Sequence, residues 1–371
     1  MNNTWLDSLE EKTYNFILSL KKDENSFAFY PTKEGLTDNG SRLNLGFSCF
    51  ALKTYFILDV WKDLSEKDIT KWVTYINNFQ KNKSSFPQNS YIDDAFLLGY
   101  DNLNFSESSK FTIKKIMNIM PNKTYELKDK KIKTSIRAET KQAIASLNEV
   151  GFSNIKPYLE FPSESNEIDK FLNSLDWQFP WSSGAQFAGL CVFGATQNYE
   201  NKSKAIRSLE KFSNKIVNIT DGAYYVGKQK NISETINGAM KVLTGLDWID
   251  KEIHYPEKLI DLCLQAKPSQ EGCDLVDVVY VLYRCSLQTT YRRKDIIEYF
   301  EDIISLIKIH NFNEGGFSYF NNKSQTHYYG LKITNGKNVP DIHGTTLLIW
   351  ALSMIFKTIE NNKFSLNVLK P

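Results

Sequence analysis

The chain has 371 residues, 42% of them hydrophobic and 24% charged, with a formal net charge of +2. That balance excludes a disordered chain and a broad nucleic-acid surface, which would need clustered Lys and Arg. No apolar run approaches the roughly 18–20 residues that span a bilayer, which leaves only peripheral membrane contact open.

The first residues, MNNTWLDSLEEKTYNF, lack the basic-then-apolar pattern of a secretory leader. Cysteines at 49, 191, 263, 273 and 285 form no C-x-x-C pair, so a reducing cytoplasm is the expected home.

Two kinds of helix alternate along the chain. Amphipathic segments with one wet face are predicted around 8–21, 66–81, 166–176, 203–217, 256–266 and 295–309. Segments apolar nearly all round follow them: LGFSCFALKTYFIL from 45, DDAFLLGY from 93, SGAQFAGLCVFG from 183, INGAMKVLTGLDW from 236, DLVDVVYVLY from 274 and HGTTLLIWALSMIF from 343. A helix with no polar face must be wrapped by protein, so these six belong inside.

The turns between them carry Gly, Asn and aromatics, as in DGAYYVG (221–227) and NEGGFSYF (313–320). The alternation predicts an all-α fold, a single (α/α)6 toroid over 1–371 with six inner and six outer helices. The stretch 101–136 reads as an insertion or an extra helix pair, and its basic part KDKKIKTSIR (128–137) as a solvated loop or helix end. Inner-helix starts would gather around one mouth of a central cavity, where ligand sites form.

The units NEGGFSYF with PDIHGTTLLIWALS, and DGAYYVG with INGAMKVLTGLDW, resemble the repeats of the squalene cyclase and protein prenyltransferase superfamily. That resemblance implies the toroid and an isoprenoid-handling activity, with a partner subunit in the prenyltransferase branch. It also implies a place to look for zinc. Asp277 and His343 stand where prenyltransferase β-subunits carry two ligands, but Val279 replaces the cysteine expected two residues after Asp277. Cys273, one helical turn before Asp277, is the available thiol. The acidic motif of class II cyclases is incomplete, since Asp93 and Asp94 follow Tyr91 where a first Asp is expected.

Chemistry in the residues themselves points to the same mouth. Asp274, Asp277 and Asp341 head apolar helices, where a carboxylate either caps free N–H groups or serves as acid, base or metal ligand. His343, with Asp277 as its expected partner, is the candidate proton shuttle, and His327 is a second histidine near the same end. Trp181, Tyr224, Tyr225, Tyr283, Tyr319 and Trp350 are candidate substrate-facing rings. Three functions compete on these residues. The first is an isoprenoid enzyme with a dry cavity. The others are a glycan-active hydrolase or lyase using paired carboxylates, and a non-catalytic toroid binding a peptide or lipid.

Overall fold

A computed structural model describes residues 4–103, 109, 127–228, 231–361 and 363–371. The first helices are α1 (Leu9–Ser19), α2 (Asp38–Arg42), α3 (Leu45–Ile57), α4 (Glu66–Asn77), α5 (Asp94–Asp101) and α6 (Lys128–Glu149). There follow α7 (Ser165–Asn173), α8 (Pro180–Thr196), α9 (Lys202–Ile216) and α10 (Ile232–Trp248). The last are α11 (Pro256–Gln265), α12 (Gly272–Ser286), α13 (Arg293–Ile309) and α14 (Ile342–Thr358). Strands among the described residues are two antiparallel hairpins, β1 (Gln80–Lys81) with β2 (Ser90–Tyr91) and β3 (His327–Tyr328) with β4 (Leu331–Lys332).

Six helices close a ring. Going round it, α3 packs on α6, α6 on α8, α8 on α10, α10 on α12, α12 on α14, and α14 returns to α3. The amphipathic helices α1, α4, α7, α9, α11 and α13 lie outside, each placed before or after a ring helix in the chain. The fold is an (α/α)6 toroid. Among the described residues no helix is long and apolar enough to cross a membrane.

Local signals set the helix ends. Ser65 accepts the Asp68 N–H at the start of α4, and Asn231 accepts the Glu234 N–H at the start of α10. Proline opens α8 and α11, where its missing N–H costs nothing. Outer helices are pinned to inner ones by large buried rings. Trp72 of α4 is fully buried, stacks on Phe27 and Phe29, and gives its indole N–H to Ser48 of α3 at 2.9 Å. Truncating such a ring typically costs about 3–5 kcal/mol.

Gly315 and Gly316 turn the chain with φ of +99° and +79°, and a Cβ there would meet the Lys12 carbonyl oxygen at 2.2 Å or the Phe16 ring at 2.4 Å. That clasp ties the α13–α14 connection to α1.

The ring differs from expectation at one stave. DDAFLLGY forms only the short α5, which lies on α2 and β4 with Leu98 half exposed, and it is not part of the ring. Its place is taken by α6, whose first turns are the basic stretch read as a solvated segment. The buried face of α6 holds Ser135, Glu139, Thr140, Ala143 and Ser146 beside Ile136, Ile144 and Leu147. A stave facing a polar interior has no need to be apolar all round. The rest of the expected insertion, 104–108 and 110–126, lies outside the described residues.

Candidate functional site

The interior of the ring is lined by one face from each stave. On α3 the residues Gly46, Cys49, Phe50 and Lys53 recur at helical spacing and share a face. Phe50 stacks on His343 of α14 with ring centroids 4.4 Å apart, which fixes that face as the inward one. Lys53 follows Phe50 by one turn and is 8% exposed. On α10, Lys241 projects inward, its Nζ 3.8 Å from Asp277 Oδ1 on α12.

Burial lowers the pKa of Lys53 on α3 and, more strongly, of Lys141 on α6; at Lys53 the Glu149 and Glu139 carboxylates work against that shift.

Asp277 is 1% exposed, and neither carboxylate oxygen receives a hydrogen bond. Burial raises its pKa to about 6, against the pull of Lys241. His343, the second residue of α14, lies between the Phe50 and Tyr319 rings, the latter 5.1 Å away. Its Nδ1 is buried without a partner. Desolvation, helped by Lys53 and Lys241, lowers its pKa to about 3, so the imidazole is neutral at ordinary pH. The expected Asp277–His343 pair is not what forms, because the partner of Asp277 is Lys241.

Cys273 accepts a hydrogen bond from Tyr319 OH at 2.8 Å, and burial lifts its thiol pKa to about 12. Among the described residues no three His, Cys, Asp or Glu side chains converge so as to hold a metal ion. Cys273, Asp277 and His343 therefore do not assemble into the expected zinc set. The thiol is held protonated by its surroundings, and the carboxylate faces an ammonium.

Several other expected residues have structural employment. Asp341 caps α14 by accepting from Gly344 N–H at 2.8 Å, and its second oxygen takes Tyr319 N–H at 2.7 Å and Gln325 N–H at 3.0 Å. Asp93 does the same for two helices, accepting from Ala95 N–H of α5 and from Asn44 and Leu45 N–H at the head of α3. Asp94 lies at the surface in ion pairs with Lys81 and Lys83. Asp274 sits at the head of α12, where Asn237 Nδ2 donates to it at 2.8 Å and Ser269 Oγ also bonds it.

The expected rings scatter. Tyr319 overhangs His343, and Tyr283 is half-buried on α12. Trp350 is buried on α14 with its indole N–H on Leu369 O at 3.1 Å. Trp181 is 45% exposed at the start of α8. Tyr224 bonds His254 in the outer layer, where His254 also meets Asn214 of α9, and Tyr225 donates to Asp221. His327 is exposed on β3, with Nδ1 3.0 Å from Thr326 Oγ1. Of the rings, Tyr319 alone touches the His343 site by a described contact.

Sequence reasoning passed over Lys53, Lys141, Lys241, Glu139 and Glu149. Glu139 of α6 is 3% exposed, receives Tyr328 OH, and is pushed by burial to a pKa of about 8. Glu149 ends α6, receives Lys370 N–H at 3.0 Å, and is raised by burial to about 7. A signal for two of the lysines was present: each is the lone charge within an otherwise uncharged run, LGFSCFALKTYFIL and the first eleven residues of INGAMKVLTGLDW.

The far end of the ring is occupied by residues 366–371. Asn367 N–H bonds Ile57 O at the end of α3, and Trp248 at the end of α10 gives its indole N–H to the main-chain oxygen of Pro371 at 2.6 Å. Lys370 lies over the Trp248 ring. With Glu149 and Trp350, the segment meets four of the six staves.

No protein-family model matches the chain, and no curated protein sequence matches it. Among solved structures, a cellobiose 2-epimerase from Bacillus thermoamylovorans B4167 is similar over 96% of this chain and all of the other, with a TM-score of 0.47 and 12% identity.

Proposed function

We propose that the protein is an enzyme that moves protons on a polyhydroxylated, sugar-like substrate held in the toroid lumen. Asp277 is the general base, Lys241 holds its charge, and His343 presents a neutral imidazole. The observation that carries this reading is Asp277: a lumen-facing carboxylate, 1% exposed, with an ammonium at 3.8 Å and no hydrogen-bond donor on either oxygen. Leaving such acceptors unfilled is costly, and a substrate hydroxyl would fill them. A carboxylate with pKa near 6 is ionised at neutral pH yet basic enough to take a proton. A neutral imidazole N–H can polarise a carbonyl or steady the oxyanion that forms when the proton leaves.

An isoprenoid substrate asks for a dry, apolar wall. The charged Lys241–Asp277 pair favours a water-soluble one. The test is a panel of reducing mono- and disaccharides incubated in D2O and followed by NMR. Wild type is expected to incorporate deuterium or to form an isomer, and Asp277→Asn to slow that by about 100-fold or more. If no sugar of the panel reacts, the reading fails.

A further inference from the structure

One stave leaves room inside the ring. On α8, Gly184, Phe187 and Cys191 face α10: a Cβ on Gly184 would meet Gly238 O and Lys241 Cβ at 3.0 Å, and one on Gly245 of α10 would meet the Phe187 ring and Cys191 Sγ. Gly194 faces outward, toward Tyr199 and toward Leu209 of α9. The side left over carries Trp181, Ala185 and Gly189 at i, i+4 and i+8, and with α10 on one flank and α9 behind, it turns to the lumen. Trp181 is 45% exposed, and Ala185 is exposed one turn deeper. Gly189 is buried, yet a Cβ there would meet nothing within 4 Å, so it borders an internal space.

We infer that Trp181 is the platform of a second sugar subsite at the mouth of the lumen, stacking on the outer ring of a disaccharide or longer saccharide whose reducing sugar lies at Asp277. This rests on taking the lumen as the place of proton transfer, and it narrows the substrate from a sugar of any length to a glycosidically linked one. The heads of α8, α10 and α12 stand at one end of the ring, joined by the bonds from Trp181 N–H to Glu234 and from Asn237 to Asp274. The order of the staves sets α8 opposite α14, and Trp181 and His343 are each the second residue of their helix, so the indole faces the Phe50, His343 and Tyr319 rings across the mouth. Asp277 is the sixth residue of α12, about 6 Å deeper at 1.5 Å per residue. One stave separates α8 from α12, which puts their axes roughly 14–17 Å apart. A single pyranose at the carboxylate does not reach the indole, whereas two linked ones do. The flat apolar face of the indole fits the C–H face of a sugar ring, and no described residue accepts its N–H, which is left for a hydroxyl. Ala185 and Gly189 below it project nothing that would block the descent of the reducing ring.

The experiment is isothermal titration calorimetry of the full chain with glucose, maltose, lactose and cellobiose. Wild type is compared with Trp181→Ala, with Trp181→Leu, which keeps apolar bulk without a ring, with Trp181→Phe, which keeps a ring, and with the surface control Ile155→Ala, at a position 69% exposed. At least one disaccharide is expected to bind about tenfold or more tightly than glucose. Trp181→Ala and Trp181→Leu are expected to bring that disaccharide down to the level of glucose and to leave glucose as it was. Trp181→Phe should keep most of the gain, and the control all of it. Trp181→Leu is expected to melt as wild type does, which separates lost stacking from lost folding.

The subsite is refuted if no disaccharide binds more tightly than glucose, or if Trp181→Ala and Trp181→Leu bind disaccharides as well as wild type. Disaccharide binding that depends on Trp181, without deuterium entering any sugar, would sink the catalytic reading and leave the subsite standing. Deuterium exchange into glucose with equal binding of all four sugars would do the reverse.

Discussion

Lys241 Nζ stands 3.8 Å from Asp277 Oδ1, close enough to balance its charge and too far to fill its hydrogen-bonding capacity. The carboxylate is thereby kept inside the protein without being consumed by it. A shorter bond would have made a structural pair, and no cation at all would have left a protonated acid.

The pH behaviour of Asp277 follows. Its folded pKa is raised from 3.8 to about 6, so the stability tied to its neutral form is complete below pH 3.8 and lost as pH rises through about 6. The unfolding free energy of wild type relative to Asp277→Asn, read from denaturant melts, is expected to fall across that window by an amount on the order of 1–3 kcal/mol. Activity should rise over the same interval as the base ionises. A flat difference between pH 4 and 7 would contradict the assignment.

His343 gives the opposite sign. Its pKa is lowered from 6.5 to about 3, so stability linked to the neutral ring is present above pH 6.5 and lost as pH falls toward 3. In a ¹⁵N-labelled sample the His343 ring resonances should stay in their neutral positions from pH 8 to 5. A midpoint between 6 and 7 would show the ring to be solvated.

Asp341 should behave as a cap. Replacing it by Ala removes the acceptor for three buried N–H groups and is expected to cost about 3–5 kcal/mol in denaturant unfolding. Asn, which keeps one acceptor oxygen, should recover part of that. If Asp341→Asn abolishes turnover while melting normally, the residue has a chemical role.

Deleting residues 367–371 strips the acceptors from the Trp248 and Trp350 indole N–H groups. The expected loss is about 2–5 kcal/mol, with a red shift of tryptophan emission as water reaches the rings. Unchanged emission and stability would mean that the segment lies loosely on the ring.

The architecture was legible because it depends on which helices need a wet face. All six outer helices and five of the six staves follow from that pattern, with ends near those observed. The sixth stave escaped because α6 turns Glu139, Thr140 and Ser146 to its buried face and begins with KDKKIK. Its pattern is that of a helix bordering a polar space, which apolar counting cannot find. The site was half legible. Asp277 and His343 stand out as polar residues at the heads of apolar helices, but so does Asp341, and only the folded chain separates a cap from a free carboxylate. The pairing of Asp277 with Lys241 joins two staves across 36 residues of sequence, and no local spacing encodes it.

The segment from Leu366 to Pro371 also decides traffic. It lodges against four of the six staves and covers their ends at one side of the ring. On the proposed function, a substrate would then reach Asp277 from the opposite end of the ring, where the heads of α12 and α14 stand.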